Sequence, residues 1–381
     1  LAPDRAPRRR WSPVARRRVR LLAVVLGVAI LLGPELRPKV GPEIVQGDER
    51  VRRTMGAWLP YWNTQAAYRT VLRNADLFEY ASPFWYQTRG VTTIRPRRGA
   101  GNGDVVSGLR REGLAVLPTV TLGLNTTQWV TAMRPAANRR AHVSTLMRLA
   151  SRYDGLDLDY ESFTKTSDAR VANQVRFTFT DIARDLCTRL HAVKKRCTIT
   201  VMARTRPAPA KFRGPYAAWV YDYPTLLEFT DRLRVMAYHE HGAGSRPGPI
   251  AGTTWVRRVV RYATEAADRV GAPRSRVEIA LPAYGFDWPL PRGRGKSRTT
   301  AQMEALRTRL GAERTWDPVA EEYSFRYVQN GVERVAWYPE ARSTQHKLDV
   351  IQQAGARYGL WYPGGEDPAV WDDAFRPAST W

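Results

Sequence analysis

The sequence predicts an α/β fold, a TIM (β/α)8 barrel with a small α+β insertion between strands 7 and 8. Three observations predict it. From Thr54 onward, short apolar runs alternate with amphipathic stretches, the pattern of βα units and a parallel sheet. Eight such runs can be counted before the chain ends. The fourth run finishes in acids, and a barrel opens its active site at the C-terminal ends of its strands. The chain has 381 residues, room for a barrel of about 250 and additional segments.

Ahead of the barrel, residues 1–20 form a basic tail with arginine triplets at Arg8 to Arg10 and Arg16 to Arg18. The apolar run Leu21 to Leu32 follows, and segment 21–33 reads as a signal peptide or a membrane anchor, with the arginines left in the cytoplasm. Either way the protein is expected to be exported, extracellular or anchored facing outside. Residues 34–53, rich in Pro, Gly and charge, read as a linker, and the barrel occupies 54–376. The formal net charge is +24, but the basic residues are spread along the chain and no nucleic-acid-binding motif accompanies them. Nucleic acid is therefore not an expected partner. Attraction to an anionic cell envelope is the milder implication.

Strands are expected near Met55 to Trp62, Leu77 to Tyr86, Leu114 to Thr121, Asp154 to Glu161, Thr198 to Arg204, Leu233 to Glu240, Val277 to Tyr284 and Tyr358 to Pro363. Helical patterns lie between them, at Ser144 to Arg152, Val171 to Leu190, Trp255 to Val270 and Ser343 to Ala354. Residues 287–341 are too long for one crossover helix. They hold a basic Gly-rich loop (Arg292 to Arg298), a helical piece (Thr300 to Leu310) and two strand-like runs joined by Gln329-Asn330-Gly331, a hairpin turn signal. Such an insertion walls one side of a cleft or decorates the surface. Cys187 and Cys197 are the only cysteines, placed to form a disulfide between the fourth helix and fifth strand or to remain two buried thiols.

The fourth run, Tyr153 to Phe163, reads Y-D-G-L-D-L-D-Y-E-S-F. In an extended strand Asp157, Asp159 and Glu161 point one way, and Leu156, Leu158 and Tyr160 the other. Acids so close inside a closed barrel cannot all ionise at neutral pH, because desolvation and mutual repulsion raise at least one pKa. Glu161, last on the strand, is the expected acid catalyst. A calcium loop is the competing reading, but apolar Leu158 and Tyr160 stand where it needs oxygen-rich residues.

The spacing D-x-x-D-x-D-x-E at a strand end resembles the signature of family 18 glycoside hydrolases, the chitinase-like enzymes. The runs V-M-A-Y-H-E-H (235–241), L-P-A-Y-G-F-D-W (281–288) and Y-G-L-W (358–361) with G-G-E-D (364–367) are similar to the YaaH-like spore-germination branch. The resemblance implies a retaining hydrolase of β-linked N-acetylglucosamine polymers, peptidoglycan or chitin, working by substrate-assisted catalysis without a cofactor. Glu161 would then be general acid/base, Asp159 would orient the substrate acetamido group, Asp157 would share a proton with Asp159, and Tyr238 would donate to the acetamido oxygen. Trp361 would form an apolar floor under the sugar. Met236, Tyr284, Trp62, Asp154 and His239 are the further expected substrate contacts, although Asp154 falls on the opposite face from Asp157 by strict alternation and supporting the strand is its other role. The chain departs from the family pattern in two places: His239 stands where Asp commonly follows the strand-six Tyr, and the third strand lacks Ser-x-Gly-Gly. His239 and His241 share a face if strand six continues through them, yet no third ligand is evident and no metal is expected. A lectin-like barrel of the cell envelope that binds sugar without hydrolysis is the alternative, and a scaffold without sugar affinity a weaker one.

Overall fold

The computed structural model describes residues 53–161, 163, 168–207 and 217–376. The basic tail, the apolar segment 21–33 and nearly all of the linker lie outside these residues. Among the described residues, no helix is long and apolar enough to cross a membrane.

Each expected run contains a strand, and the strands pair in parallel. They are β1 (Met55–Pro60), β2 (Phe78–Phe84, continued by Tyr86–Thr88), β3 (Ala115–Val116, continued by Thr119–Leu122), β4 (Gly155–Asp159), β5 (Arg196–Met202), β6 (Arg232–Met236), β7 (Val277–Pro282) and β8 (Arg357–Trp361). β8 pairs with β1, β1 with β2, and both parts of β2 with the corresponding parts of β3, so the ring closes. Pro118 interrupts β3 because it has no N–H to donate. Its carbonyl still accepts from the backbone N–H of Asp157 at 3.1 Å, which holds the break against β4.

Helices cover the outside, including Ala136–Ala150, Ala169–Ala192, Thr253–Arg269 and Ala341–Gln353. The longest starts where Asp168 accepts from the N–H groups of Arg170 and Val171, the cap expected of an aspartate before an apolar-periodic run. It buries Val175, Phe179, Ile182 and Leu186, at spacings of three and four, against the barrel.

Cys187 on this helix is bonded to Cys197 at the start of β5. The bond closes a separation of 10 residues, which in the chain-entropy description contributes about 2–3 kcal/mol. Replacing both cysteines by serine is expected to lower the unfolding free energy by that amount, seen as a lower urea midpoint. An unchanged midpoint would mean that the bond contributes nothing.

A second, antiparallel sheet lies in the chain between β7 and β8. Its strands in spatial order are Lys296–Thr299, Tyr284–Pro289, Val332–Tyr338, Glu322–Gln329 and Arg314–Asp317. Helix Thr300–Leu310 packs on it through Met303 and Leu306, which join Phe325, Tyr327 and Tyr338 in a small separate core. The hairpin turn takes positive φ at Asn330 and Gly331, as a two-residue turn with this sequence requires. The sheet begins at Tyr284, not near 287. After Ala283 donates its N–H to the Trp361 carbonyl, the chain leaves the barrel, so Tyr284 belongs to the insertion and not to the seventh barrel strand.

Candidate active site

The barrel interior beneath the acids is polar and tightly partnered. Asp157 is fully buried, and four other strands send donors to it. Trp58 Nε1 on β1 (2.9 Å), Thr119 Oγ1 on β3 (2.7 Å) and Arg234 Nη1 on β6 (3.3 Å) reach Oδ2, and Thr200 Oγ1 on β5 (2.7 Å) reaches Oδ1. The indole and the guanidinium can only donate, so Oδ2 is an acceptor. No hydrogen bond joins the carboxyls of Asp157 and Asp159 among the described contacts.

Arg234 is the residue that strand-by-strand reasoning missed. Fully buried, it donates from Nε to Glu278 Oε1 (2.6 Å) and from Nη1 to Ser82 Oγ (3.3 Å), and it lies 4.0 Å from the Trp58 ring centroid and 4.9 Å from that of Tyr80. Tyr80 closes the network by donating to Glu278 Oε2 at 2.6 Å. Burial opposes the guanidinium charge, but Glu278, Tyr80 and Asp157 more than offset it and raise its pKa. Two glycines make the room: a Cβ on Gly56 would sit 2.4 Å from Arg234 Nη2, and one on Gly359 2.5 Å from Glu278 Oε1. Arg234 in R-L-R-V-M (232–236) and Glu278 in V-E-I-A-L-P (277–282) are charges inside otherwise apolar strands, the same signal that marks the acids of β4.

Asp159 lies two residues nearer the mouth and is also buried. Its Oδ1 is buried and makes no hydrogen bond. Burial, then the charges of Glu161 and Asp157, raise its pKa well above the ordinary value, with Arg234 opposing. Glu161 lies two residues beyond the strand end, where its side chain opens to the cleft. The protein around its carboxyl pushes its pKa up to about 7 through burial. What aims Glu161 is the fixing of its neighbour: Tyr221 Oη donates to the Tyr160 carbonyl (2.7 Å), while Tyr160 Oη bonds His142 Nε2 (2.8 Å) behind the strand. His142 Nδ1 in turn meets the Val91 carbonyl at 2.7 Å, which makes Nδ1 the donor and Nε2 the acceptor.

Tyr238 faces the same acids; burial first, then Tyr284, Glu161 and Asp159, raise its phenol pKa. Trp361 ends β8 and packs edge-on against Trp58 (5.2 Å between centroids), Phe84 (5.3 Å) and Trp62 (6.0 Å), with Trp62 46% exposed at the rim. Met236 packs beneath, against Trp58 and Ala280. A cavity of about 370 Å³ runs from this wall toward the insertion and is lined by Trp62, His239, Tyr284, Phe286, Arg298 and Trp361, among others.

Two expected contacts are placed differently. Asp154 precedes β4, at the end of the barrel away from the mouth. It accepts from Arg110 and from the N–H of Val116 (2.9 Å), so it supports the strand and does not reach the cleft. β6 ends at Met236 and His239 adopts φ +67°, so the alternation that would set His239 and His241 on one face does not apply. His239 Nε2 meets Tyr284 Oη at 2.7 Å, and burial lowers its pKa. His241 Nδ1 instead turns to the Arg246 carbonyl at 3.1 Å. Among the described residues no group of three metal-ligating side chains converges.

The family model for Glycosyl hydrolases family 18 matches residues 109–362. The "Uncharacterized glycosylase YvbX" of Bacillus subtilis (strain 168) is 24% identical over 248 residues, 63% of this chain and 67% of that protein. The cortical fragment-lytic enzyme of Bacillus anthracis is 24% identical over 247 residues, 63% of this chain and 53% of that protein, so the chain spans about half of its length. The solved chitinase of Chromobacterium violaceum ATCC 12472 superposes with a TM-score of 0.73 at 24% identity, covering 86% of this chain and 100% of that one, and shares the fold.

Proposed function

The chain belongs to family 18 of the glycosyl hydrolases and is a glycoside hydrolase, and from that premise we propose that it is an exported, retaining enzyme that cleaves β-linked N-acetylglucosamine polymers with the help of the substrate's own acetamido group. The observation that carries this reading is the pairing of Asp159 Oδ1, a buried acceptor making no hydrogen bond, with a neighbouring Glu161 that holds a proton up to about pH 7. The acetamido N–H is the donor that Oδ1 lacks. Accepting it would turn the acetamido oxygen toward the anomeric carbon.

In the first step Glu161 gives its proton to the leaving glycosidic oxygen as the acetamido oxygen attacks the anomeric carbon from the other face. One bond to carbon forms, one breaks, and the positive charge is shared by the resulting oxazolinium ring. Asp159 holds the N–H of that ring, and Tyr238 donates to the acetamido oxygen. In the second step water attacks the anomeric carbon, Glu161 takes its proton, and the ring reopens with net retention. Trp361 offers the apolar face under the sugar. The disulfide supports export, since such bonds persist in oxidising compartments. The name of the cortical fragment-lytic relative tilts the substrate toward cell wall.

Cleavage is expected on N-acetylated oligomers, with the β-anomer as first product by proton NMR, and to fall by about 10³-fold or more when the sugar donating the glycosidic bond is de-N-acetylated. Binding of the oligomers without release of reducing ends would overturn the enzyme reading in favour of the lectin-like one. Equal cleavage of the de-N-acetylated oligomer would overturn the substrate-assisted step.

A further inference from the structure

The cavity beside Trp361 carries a positive charge with no carboxylate facing it. Arg298 lies on strand Lys296–Thr299 of the insertion and lines this cavity together with His239, Trp62 and Trp361. Behind it, Asp287 is fully buried and serves two guanidinium groups. Its Oδ1 accepts from Arg334 Nε, and its Oδ2 accepts from Tyr327 Oη (2.7 Å) and from Arg298 Nε (3.2 Å). One negative charge against two positive ones leaves one positive charge in surplus. Asp287 thus fixes Arg298 through Nε, and among the described residues neither Nη atom of Arg298 has a hydrogen-bond partner.

Among the described residues that line the cavity, no other cation or free donor row competes for this role. None of the lining residues is Asp, Glu or Lys. The start of helix Thr300–Leu310 is beside Arg298, but its first amides are spent: Thr300 N–H on the Ala283 carbonyl, Ala301 N–H on the Gly365 carbonyl and Gln302 N–H on Thr299 Oγ1. What remains is a guanidinium held from behind, presenting two parallel N–H groups beside an aromatic wall. That is the geometry that recognises a carboxylate bidentately, and lysine could not reproduce it.

We infer that Arg298 is a specificity-determining residue that binds the carboxylate of an acidic N-acetylated sugar next to the N-acetylglucosamine whose bond is cut, so that the cleft takes an alternating neutral and acidic glycan in preference to uniformly neutral chitin. The inference rests on the glycosidase reading above and narrows its substrate. In peptidoglycan the acid is the 3-O-lactyl group of the second sugar, free where the stem peptide has been removed. Trp62 and Trp361 would hold the ring faces while Arg298 reads the acid.

The test compares soluble β-1,4 oligomers of alternating N-acetylglucosamine and lactyl sugar in three forms: free lactyl carboxylate, its methyl ester, and the lactyl amide of a dipeptide. Wild type, Arg298→Gln and Arg298→Lys are assayed for kcat/KM on each. Wild type is expected to prefer the acid to the ester by about tenfold or more, the size of a charge-assisted hydrogen bond. Arg298→Gln should bring that ratio to about one, Arg298→Lys should keep part of it, and raising the salt to about 0.5 M should erode it in wild type. Thermal unfolding of each variant separates this from damage to the insertion, since Asp287 keeps Arg334 and Tyr327.

A wild-type ratio near one, or a ratio that survives Arg298→Gln, would overturn the inference and leave the glycosidase standing. A preference for the dipeptide form would move the recognised carboxylate to the stem peptide and overturn the assignment to the sugar. If no oligomer is cleaved at all, the glycosidase reading falls, and calorimetric binding of acid against ester to the same proteins decides the anion preference independently: equal affinities sink it, and a tenfold preference lost in Arg298→Gln upholds it.

Discussion

Glu161→Gln is expected to lower kcat for N-acetylglucosamine oligomers by about 10²–10⁴-fold, the range supplied by a positioned general acid, with the oligomers still bound. Glutamine keeps the shape and removes the proton donor, so the loss should fall on kcat rather than KM. The pH profile gives a second measurement on the same group. Burial raises the pKa of Glu161 to about 7, so the carboxyl keeps its proton below neutrality and loses it above. The kcat/KM of wild type should therefore decline on the alkaline side with an apparent pKa near 7, a value belonging jointly to Glu161 and Asp159 because their charges interact. Residual activity in Glu161→Gln should lack that alkaline limb. Full activity in the variant, or a wild-type limb at the ordinary carboxylate value, would remove Glu161 from the role.

Arg234→Met is expected to destabilise the barrel by about 3–5 kcal/mol, although Arg234 touches no substrate. The substitution roughly preserves volume and packs against Trp58 and Tyr80, so packing loss is small. What remains is Asp157 and Glu278, both fully buried, without the cation between them. Urea unfolding should show that loss as a lower midpoint for the variant than for wild type. Adding Glu278→Gln should recover part of the loss, because one of the two charges is gone. A variant as stable as wild type would show that the ion cluster contributes nothing to the barrel.

The cluster also marks the boundary of what sequence patterns can reveal. Alternation along one strand is a local property, so Asp157, Asp159 and Glu161 could be placed on a single inward face, in order from base to mouth, from residues 153–163 alone. The same locality made the Asn330-Gly331 turn and the cysteine pair readable, since each depends on a few neighbouring residues. The closed ring of strands followed from eight repeats of one local pattern. By contrast, Arg234 meets Asp157 across 77 residues and Glu278 across 44, and Glu278 meets Tyr80 across 198. Which charge faces which, in a ring of eight strands, depends on the stagger between strands that carry no pattern of their own.

Tertiary structure decided three further matters. It tied Asp154, at the base of the barrel, to Arg110 and the Val116 amide, partners from other elements that the pattern of one strand does not name. It ended β6 at Met236 and turned His239 through positive φ onto Tyr284, which separated two histidines that alternation had placed together. It placed Arg298, at the end of the Gly-rich loop, in the cleft lining with its Nε held by a buried Asp287. Period and spacing within short segments were enough to give the class of fold and the line of acids, and the single pair of cysteines left one partner for any disulfide. Only folding decided which donors partner Asp157 and what lines the cleft, because those neighbours come from different strands and their approach is set by the closure of the whole barrel.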